Sequence, residues 1–305
     1  MPASLADGTS VKPCLLARVR KGRSGQWRLF ATAALIAFVL LPNSLHAGAW
    51  TQAKGHGQVI FTSSLFRTGT AFNEAGAPIP FSDAGRFRQL TFNPYLEYGL
   101  TSRNTLIVNA YAPLLNFSNR FASQSSAGLG DLEVGLERRL NSPESRWACS
   151  VQLTVLFPAY SEEHSPAPGN HNVDLESRIL VGRGLALARR HVLYDLELAY
   201  RYRNGAPADQ VRADASTGID ATRWLTLMGQ FFAIKGLRNG EPLTVRSNPN
   251  AQSDFDLYKY QPSLVFKLGR GTRVQFGWNS TFSGRNTGTG HTALLAVWKS
   301  FQAKP

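Results

Sequence analysis

The chemically capable residues of this 305-residue chain are charged side chains that recur at even spacing. They fall in groups: Asp131, Glu133 and Glu137; Asp174, Glu176 and Arg178; Asp195, Glu197, Arg201 and Arg203; Arg212 and Asp214; then Lys259, Lys267 and Arg273. In an extended strand, even spacing puts side chains on one face. Carboxylates and guanidinium groups gathered on one face can form charge-assisted, often bidentate, pairs, and away from bulk water they keep their charges only when paired or hydrated. The chemistry open to such a face is electrostatic. It can line a polar interior and sort what enters, or it can simply rigidify an inert scaffold.

Other constellations are weaker. Ser177 and Ser280 fall on the opposite, apolar parity, where an acyl hydrolase acting on lipid would need its nucleophile. A serine needs a base, and the histidines do not offer one at a matching outward position: His191 and His291 begin strands, and His56 precedes the first. The stretch Ser161-Glu162-Glu163-His164, with His171, carries divalent-ion ligand types but reads better as a hydrated acidic loop. No glycine loop opens a helix to cradle phosphate, and the Gly284–Gly290 run reads as a flexible loop tip. The expectation is a non-enzyme with no cofactor, no metal and no catalytic residue.

The elements that must carry the charged face are strands. From His191 to Arg203, Val192, Tyr194, Leu196, Leu198, Tyr200 and Tyr202 share one parity, while Asp195, Glu197, Ala199, Arg201 and Arg203 share the other. One face is wholly apolar and the other charged, which suits lipid on one side and a polar interior on the other. The alternation recurs about twelve times, near 58–67, 87–100, 105–113, 129–140, 146–158, 173–182, 191–203, 210–220, 224–235, 258–268, 272–282 and 291–301. In the ninth and twelfth segments the parity is ambiguous. Pro94 and Pro262 fall inside strands, where a residue without an N–H predicts a bulge.

The connections alternate too. Short turns at 101–104, 141–145, 184–190, 221–223 and 269–271 are interleaved with longer Gly-, Pro- and Ser-rich loops at 68–86, 117–128, 159–172, 236–254 and 283–290; 204–209 is short where a long loop belongs. An even strand number with short turns at one end and long loops at the other predicts an all-β, transmembrane, antiparallel up-and-down β-barrel of about twelve strands. Aromatics support the reading. Tyr98, Trp147 and Trp298 fall near the short-turn rim, and Tyr200, Tyr202, Tyr258, Tyr260 and Phe282 near the long-loop rim. The last strand ends at Phe301, with Lys299 where an apolar residue is usual.

Before the first strand lies an export signal. Arg18, Arg20, Lys21, Arg23 and Arg28 lead into the apolar run Leu29–Leu41, closed by Pro42 and too short to span a bilayer. Leu45-His46-Ala47 would release Gly48; Ala47-Gly48-Ala49, the better small-x-small match, would release Trp50. The domain reading is therefore a signal peptide over 1–47 and a barrel over 48–305. The signal holds six of the 33 Lys and Arg and one of the 20 Asp and Glu, so the net charge falls from +13 to +8 on its removal. The arginines form no basic stripe, which argues against nucleic acid as a partner. Cys14 leaves with the signal and Cys149 remains alone, so no intramolecular disulfide can form.

Short motifs carry a family resemblance. Ala49-Trp50-Thr51-Gln52, then Gly55-x-Gly57, resembles the mature start of the outer-membrane family named for the meta-pathway of phenol degradation. The run Gly130-Asp131-Leu132-Glu133-Val134-Gly135 is similar to that family's Gly-Asp-x-x-x-Gly strand, and Tyr98-Gly99-Leu100-Thr101 to its strand-to-turn step. The resemblance implies a barrel proposed to pass aromatic or other hydrophobic compounds. A more distant relative would be the long-chain fatty-acid transporter group, although the first strand begins too soon to leave room for that group's N-terminal plug. The functional expectation is a narrow, porin-like outer-membrane channel or transporter for small solutes. The alternatives are a structural or surface-interaction barrel and, less favoured, a lipid-active enzyme. Partners expected of such a chain are outer-membrane lipid, periplasmic chaperones and the barrel-assembly machinery.

Overall fold

The computed structural model describes residues 48–161, 163–187, 190–241 and 248–303. Residues 1–47, read above as an export signal, and Glu162 of the acidic loop lie outside the described residues. Twelve antiparallel strands form the wall: β1 His56–Phe72, β2 Arg86–Gly99, β3 in two collinear pieces (Asn104–Ala110 and Ala112–Ser118), β4 Asp131–Arg139, β5 Trp147–Pro158, β6 Asp174–Leu187, β7 Arg190–Arg203, β8 Gln210–Asp220, β9 Leu225–Gly236, β10 Asp256–Gly269, β11 Thr272–Arg285 and β12 Thr287–Gln302. Each pairs with its neighbours in sequence, and β1 also pairs with β12, from His56↔Gln302 upward. The ring therefore closes without an edge, and every strand has a hydrogen-bonding neighbour on both sides.

Period-two alternation decides which side of each strand meets which solvent. The outward parity carries Phe61, Leu196, Leu198 and Phe276, each at least half exposed. A continuous apolar exterior of this extent needs lipid as its partner. Both ambiguous strands now have a parity. In β9 Met228, Gln230 and Phe232 face inward, and in β12 Leu294 and Trp298 do. Trp298 therefore does not belong to the rim, where its position near a strand end had suggested it. Other aromatics do gather towards the two rims. Tyr98 stacks on Phe301 and Trp224 on Phe266 towards the short turns, while Phe282 packs with Phe231, Tyr258 and Tyr260 towards the long loops.

The short turns are held by local chemistry. Thr101 Oγ1 accepts the N–H groups of Arg103 (3.2 Å) and Asn104 (3.0 Å), and Thr222 Oγ1 does the same for Trp224 (3.2 Å) and Leu225 (3.0 Å). The turn at 269–271 takes positive φ at Gly269, Arg270 and Gly271. At the other end the strands outrun the sequence reading. The supposed loop 283–290 is mostly strand: β11 and β12 extend until they meet at Asn286, whose φ of 51° makes the tight turn. Short strands at Pro78–Pro80 and Ser123–Ala127 likewise give structure to 68–86 and 117–128, pairing with β1 and β3.

The prolines do not mark bulges. β1 pairs with β2 in one unbroken register from Gly57↔Tyr98 to Thr68↔Phe87, straight through Pro94. On the other flank, where Pro94 has no N–H to offer β3, Asn93 Nδ2 donates to Ala110 O at 2.6 Å. Pro262 likewise sits opposite Gly229 with no shift in register. The register shifts occur at Arg67/Thr70, Tyr258/Lys259 and Lys267/Gly269.

The apolar exterior can be tested at Leu196, which is 51% exposed and lies near the middle of β7. Leu196→Arg is expected to destabilise the barrel by about 2–4 kcal/mol in lipid vesicles, because its guanidinium would face hydrocarbon. Urea unfolding in vesicles measures this; a loss below about 0.5 kcal/mol would mean that the face meets water.

Candidate functional site

The charged wall is built on β4, β6, β7 and β8. Register alone would make it unstable, because Glu197 on β7 stands directly opposite Asp214 on β8, and like charges facing across strands repel. Arg178, reaching over from β6, removes the conflict. Its guanidinium binds Glu197, Asp214 (2.7 Å) and Glu176 (2.7 Å) together. Glu176 lies directly opposite Arg201 in register and bonds to it at 2.8 Å through Oε2, the same oxygen that Arg212 reaches at 3.4 Å. Arg201 also reaches Glu133 on β4 at 3.8 Å, and Glu133 accepts from Asn109 Nδ2 at 2.9 Å. Glu176, only 4% exposed, is thus held by three arginines.

Towards the long loops, Arg203 pairs with Asp174 at 3.4 Å and donates from Nη1 to Ser253 O at 3.2 Å. Asp131 and Asp174, with Arg201, Arg203 and Arg212, line a chamber of about 170 Å³ that Gly169, Asn170, Asn250 and Ala251 cover. The covering loops are tied to each other by Asn248 Nδ2 donating to Ala167 O at 2.8 Å. Beside them Asp209 accepts from Arg203 N (2.8 Å), Tyr200 Oη (2.7 Å) and Asn239 Nδ2 (2.8 Å). Burial works to raise its pKa, but these hydrogen bonds outweigh it and hold the carboxyl below its ordinary range.

The remaining sequence-predicted residues lie elsewhere on the interior parity. Lys267 pairs with Asp220 at 2.6 Å, and the Arg273 guanidinium lies 5.9 Å from the centre of the Trp298 ring. Lys259 is half-buried on β10 with no carboxylate within 4.0 Å among the described residues. Asp195 and Glu137 are 5% and 1% exposed; neither has an ion-pair partner within 4.0 Å among the described residues, and Asp195 lies against the carboxyl group of Glu197 at the edge of the lattice.

Facing the lattice is a neutral wall that charge patterning could not reveal. Gln261 Nε2 donates to Gln230 Oε1 at 2.7 Å, Asn279 Nδ2 to Gln261 Oε1 at 3.4 Å, and Gln275 Nε2 to Ser263 Oγ at 3.0 Å. Ile60, Met228, Phe232, Leu294 and Trp298 fill the spaces between these amides. Between the two walls lies a cavity of about 490 Å³.

At the short-turn end the chain enters its own barrel. Residues 48–52 lie inside the wall. Ala49 N donates to Asp195 Oδ2 at 3.0 Å, and Ser150 Oγ donates to Ala49 O at 2.7 Å. Gln52 N donates to Thr105 Oγ1 at 2.8 Å and its Nε2 to Glu97 Oε2 at 2.6 Å; Tyr95 Oη completes the Glu97 set at 2.8 Å. Ala49 packs on Ala148 and Leu180, with Trp50 against them. Gly182 makes room for the indole, since a Cβ there would lie 2.4 Å from Trp50 Cζ3. Glu97 and Gln52 were not among the expected site residues; the sequence signals for them were the polar parity of 87–100 for Glu97 and the Ala49-Trp50-Thr51-Gln52 motif for Gln52.

One correction concerns the outer face. His291 does lie at an outward position matching a serine: it is the register partner of Ser280, and Ser280 Oγ lies 3.0 Å from His291 Nδ1, with Trp278 stacked on the imidazole. In the acidic loop, His164 Nδ1 contacts Ser161 O at 3.0 Å and His171 Nε2 contacts Tyr160 O at 3.0 Å. Among the described residues no cluster of three His, Cys, Asp or Glu side chains could hold a metal ion.

No family model matches the chain, and no curated protein matches it in sequence. Among solved structures it is similar to the COG4313 outer membrane channel from Pseudomonas putida F1, at 13% identity over 85% of this chain and 100% of that one, with a TM-score of 0.61. Weaker likenesses link it to the NanC porin (8% identity, 81% of this chain and 100% of that one, TM-score 0.47) and to the translocator domain of the autotransporter NalP from Neisseria meningitidis (10% identity, 91% and 95%, TM-score 0.41). The latter two carry no weight. The first shows a shared fold: the chain is a closed twelve-stranded barrel of the outer-membrane kind.

Proposed function

We propose that the barrel is a narrow outer-membrane channel for small solutes that combine an aromatic or apolar face with polar groups. The observation that carries this reading is the unequal pair of walls around the 490 Å³ cavity. On one side is an arginine–carboxylate lattice; on the other, amides alternate with Phe232, Met228, Leu294 and Trp298. A solute could present a polar edge to the first and a ring or alkyl face to the second. The similarity of fold to an outer-membrane channel and the resemblance of the Ala49-Trp50-Thr51-Gln52 and Gly130–Gly135 motifs to the phenol meta-pathway family favour the same reading. The inserted N-terminal residues and the covering loops narrow both ends, which points to small solutes. An inert structural barrel would have had no need of a neutral, partly apolar wall opposite its ion pairs.

Reconstitution into vesicles tests the proposal. Uptake of an aromatic acid is expected to exceed that of a sugar of similar size, with a hydrophobic hydrocarbon as the third probe. Absence of flux for all three would leave the structural reading in place.

A second reading rests on one contact, the outward Ser280–His291 pair, which has the residue types of a nucleophile and its base at the lipid face. If it acts on lipid, the purified protein hydrolyses phospholipid and Ser280→Ala abolishes the activity; an unchanged rate in that variant would dismiss it.

The lattice makes its own prediction. Arg178→Gln leaves Glu197 and Asp214 without their shared counter-charge, while Glu176 keeps Arg201 and Arg212. Stability is expected to fall by about 3–5 kcal/mol, as for a buried ion pair that loses one partner. In a planar bilayer under a salt gradient, the reversal potential of the variant is expected to move towards cation preference. An unchanged potential would place the permeation path away from this wall.

A further inference from the structure

The short-turn end holds a charge imbalance that the arginine lattice does not resolve. Asp195 and Glu137 are 5% and 1% exposed, and neither has a cationic side chain within 4.0 Å among the described residues. Glu97 and Glu197 line the same space, Asp195 shares a side-chain hydrogen bond with Glu197, and Arg178, the lattice arginine on Glu197, is already committed to Glu176, Glu197 and Asp214. Glu137 Oε1 is buried with no hydrogen-bond partner. A buried carboxylate in such a place needs a positive group or a proton. Gly48 stands at the same spot. A Cβ there would lie 2.3 Å from Asp195 Oδ1 and 2.7 Å from Oδ2, so the absence of a side chain lets the Gly48 backbone come up against the carboxylate. By covalent geometry its nitrogen lies within about 5 Å of that carboxylate.

We propose that the mature chain begins at Gly48 and that its new α-ammonium is the missing counter-charge of Asp195 and Glu137, latching the N-terminal residues inside the barrel. The inference rests on the export reading of residues 1–47 but not on any transport activity. Of the two cleavage points in the sequence, the cut after Ala49 is the better small-x-small match. The contacts of the fold favour the other product. Losing Ala49 would remove the N–H that Asp195 accepts and the carbonyl to which Ser150 donates, and would empty the site beside Ala148 and Leu180. The cut after Ala47 keeps all of these and adds a cation where carboxylates converge. Hydrolysis of the Ala47–Gly48 peptide bond consumes one water, leaving a carboxylate on the released signal and an amine on Gly48. With an α-amino pKa of about 8, that amine is largely protonated at neutral pH. Cleavage precedes folding, so the barrel does not direct the cut. It captures the result.

Mass spectrometry of the protein purified from outer membranes is expected to show a chain beginning at Gly48; a chain beginning at Trp50, or anywhere else, overturns the proposal. The latch is read separately by acetylating the folded barrel with an amine-reactive ester near neutral pH and following the N-terminal peptide. The Gly48 amine is expected to react at least about tenfold more slowly in the folded barrel than after heat denaturation. Equal rates overturn the latch even if the start is Gly48. Asp195→Asn, with folding checked by heat-modifiable gel mobility, is expected to speed labelling of the folded protein. If that variant does not fold, the comparison of folded with denatured native chain still decides.

Discussion

The interior depends on one guanidinium. Closing twelve strands fixes the register, and the register sets Glu197 against Asp214 with no freedom to move apart. Without a cation between them the two would repel across the strand pair. Arg178 supplies it from the neighbouring strand and also binds Glu176, which in turn organises Arg201 and Arg212. Four strands are thereby cross-linked on their inner faces as well as along their backbones. The outer faces gain nothing comparable, since lipid is as apolar as the side chains that meet it. The rigidity of this sector is thus electrostatic as well as backbone in origin.

That arrangement explains the uneven interior. The lattice is confined to β4, β6, β7 and β8, while around the cavity β9 to β12 and β1 present amides, hydroxyls and apolar groups, with Lys259, Lys267 and Arg273 set elsewhere on β10 and β11. Charges are concentrated where register allows opposite signs to meet on adjacent strands. Arg201 and Glu176 are direct partners, and Arg178 reaches two strands. On the other side a glutamine chain satisfies its own donors and acceptors without net charge. Around the cavity that side leaves space that the lattice does not occupy.

Much of this fold is legible in sequence because its governing rule is local. Alternation at period two needs only neighbouring residues, so Val192 to Tyr202 declares its lipid face without knowledge of any partner strand. The rule weakens where both faces are apolar. In β12, Leu294, Ala296 and Trp298 face in while Leu295 and Val297 face out, so the parity of Trp298 could not be read. It weakens again where a strand is written in glycine and threonine: Thr287 to Gly290 looks like a loop and is strand, because its pairing partner in β1 supplies the order. The candidate residues were legible as an inward face. Their pairing was not, since it depends on which strands stand side by side at which register.

The inserted N-terminus was the least legible feature, and its physics shows why. Ala49 meets a partner 146 residues away, and nothing in a local window announces such a contact. Each bond along 48–52 is one that a polar barrel interior would otherwise have made with water: Asp195 takes a backbone N–H, Ser150 finds a carbonyl, Thr105 accepts from Gln52, and Glu97 takes that residue's amide. The glycine at 182 exists to admit Trp50, and the glycine at 48 to admit Asp195. Two small residues far apart in sequence thus make sense only together, as the two halves of one fitted closure. A wall that has shaped itself around its own chain terminus treats that terminus as part of the interior, and any path through the barrel runs beside it.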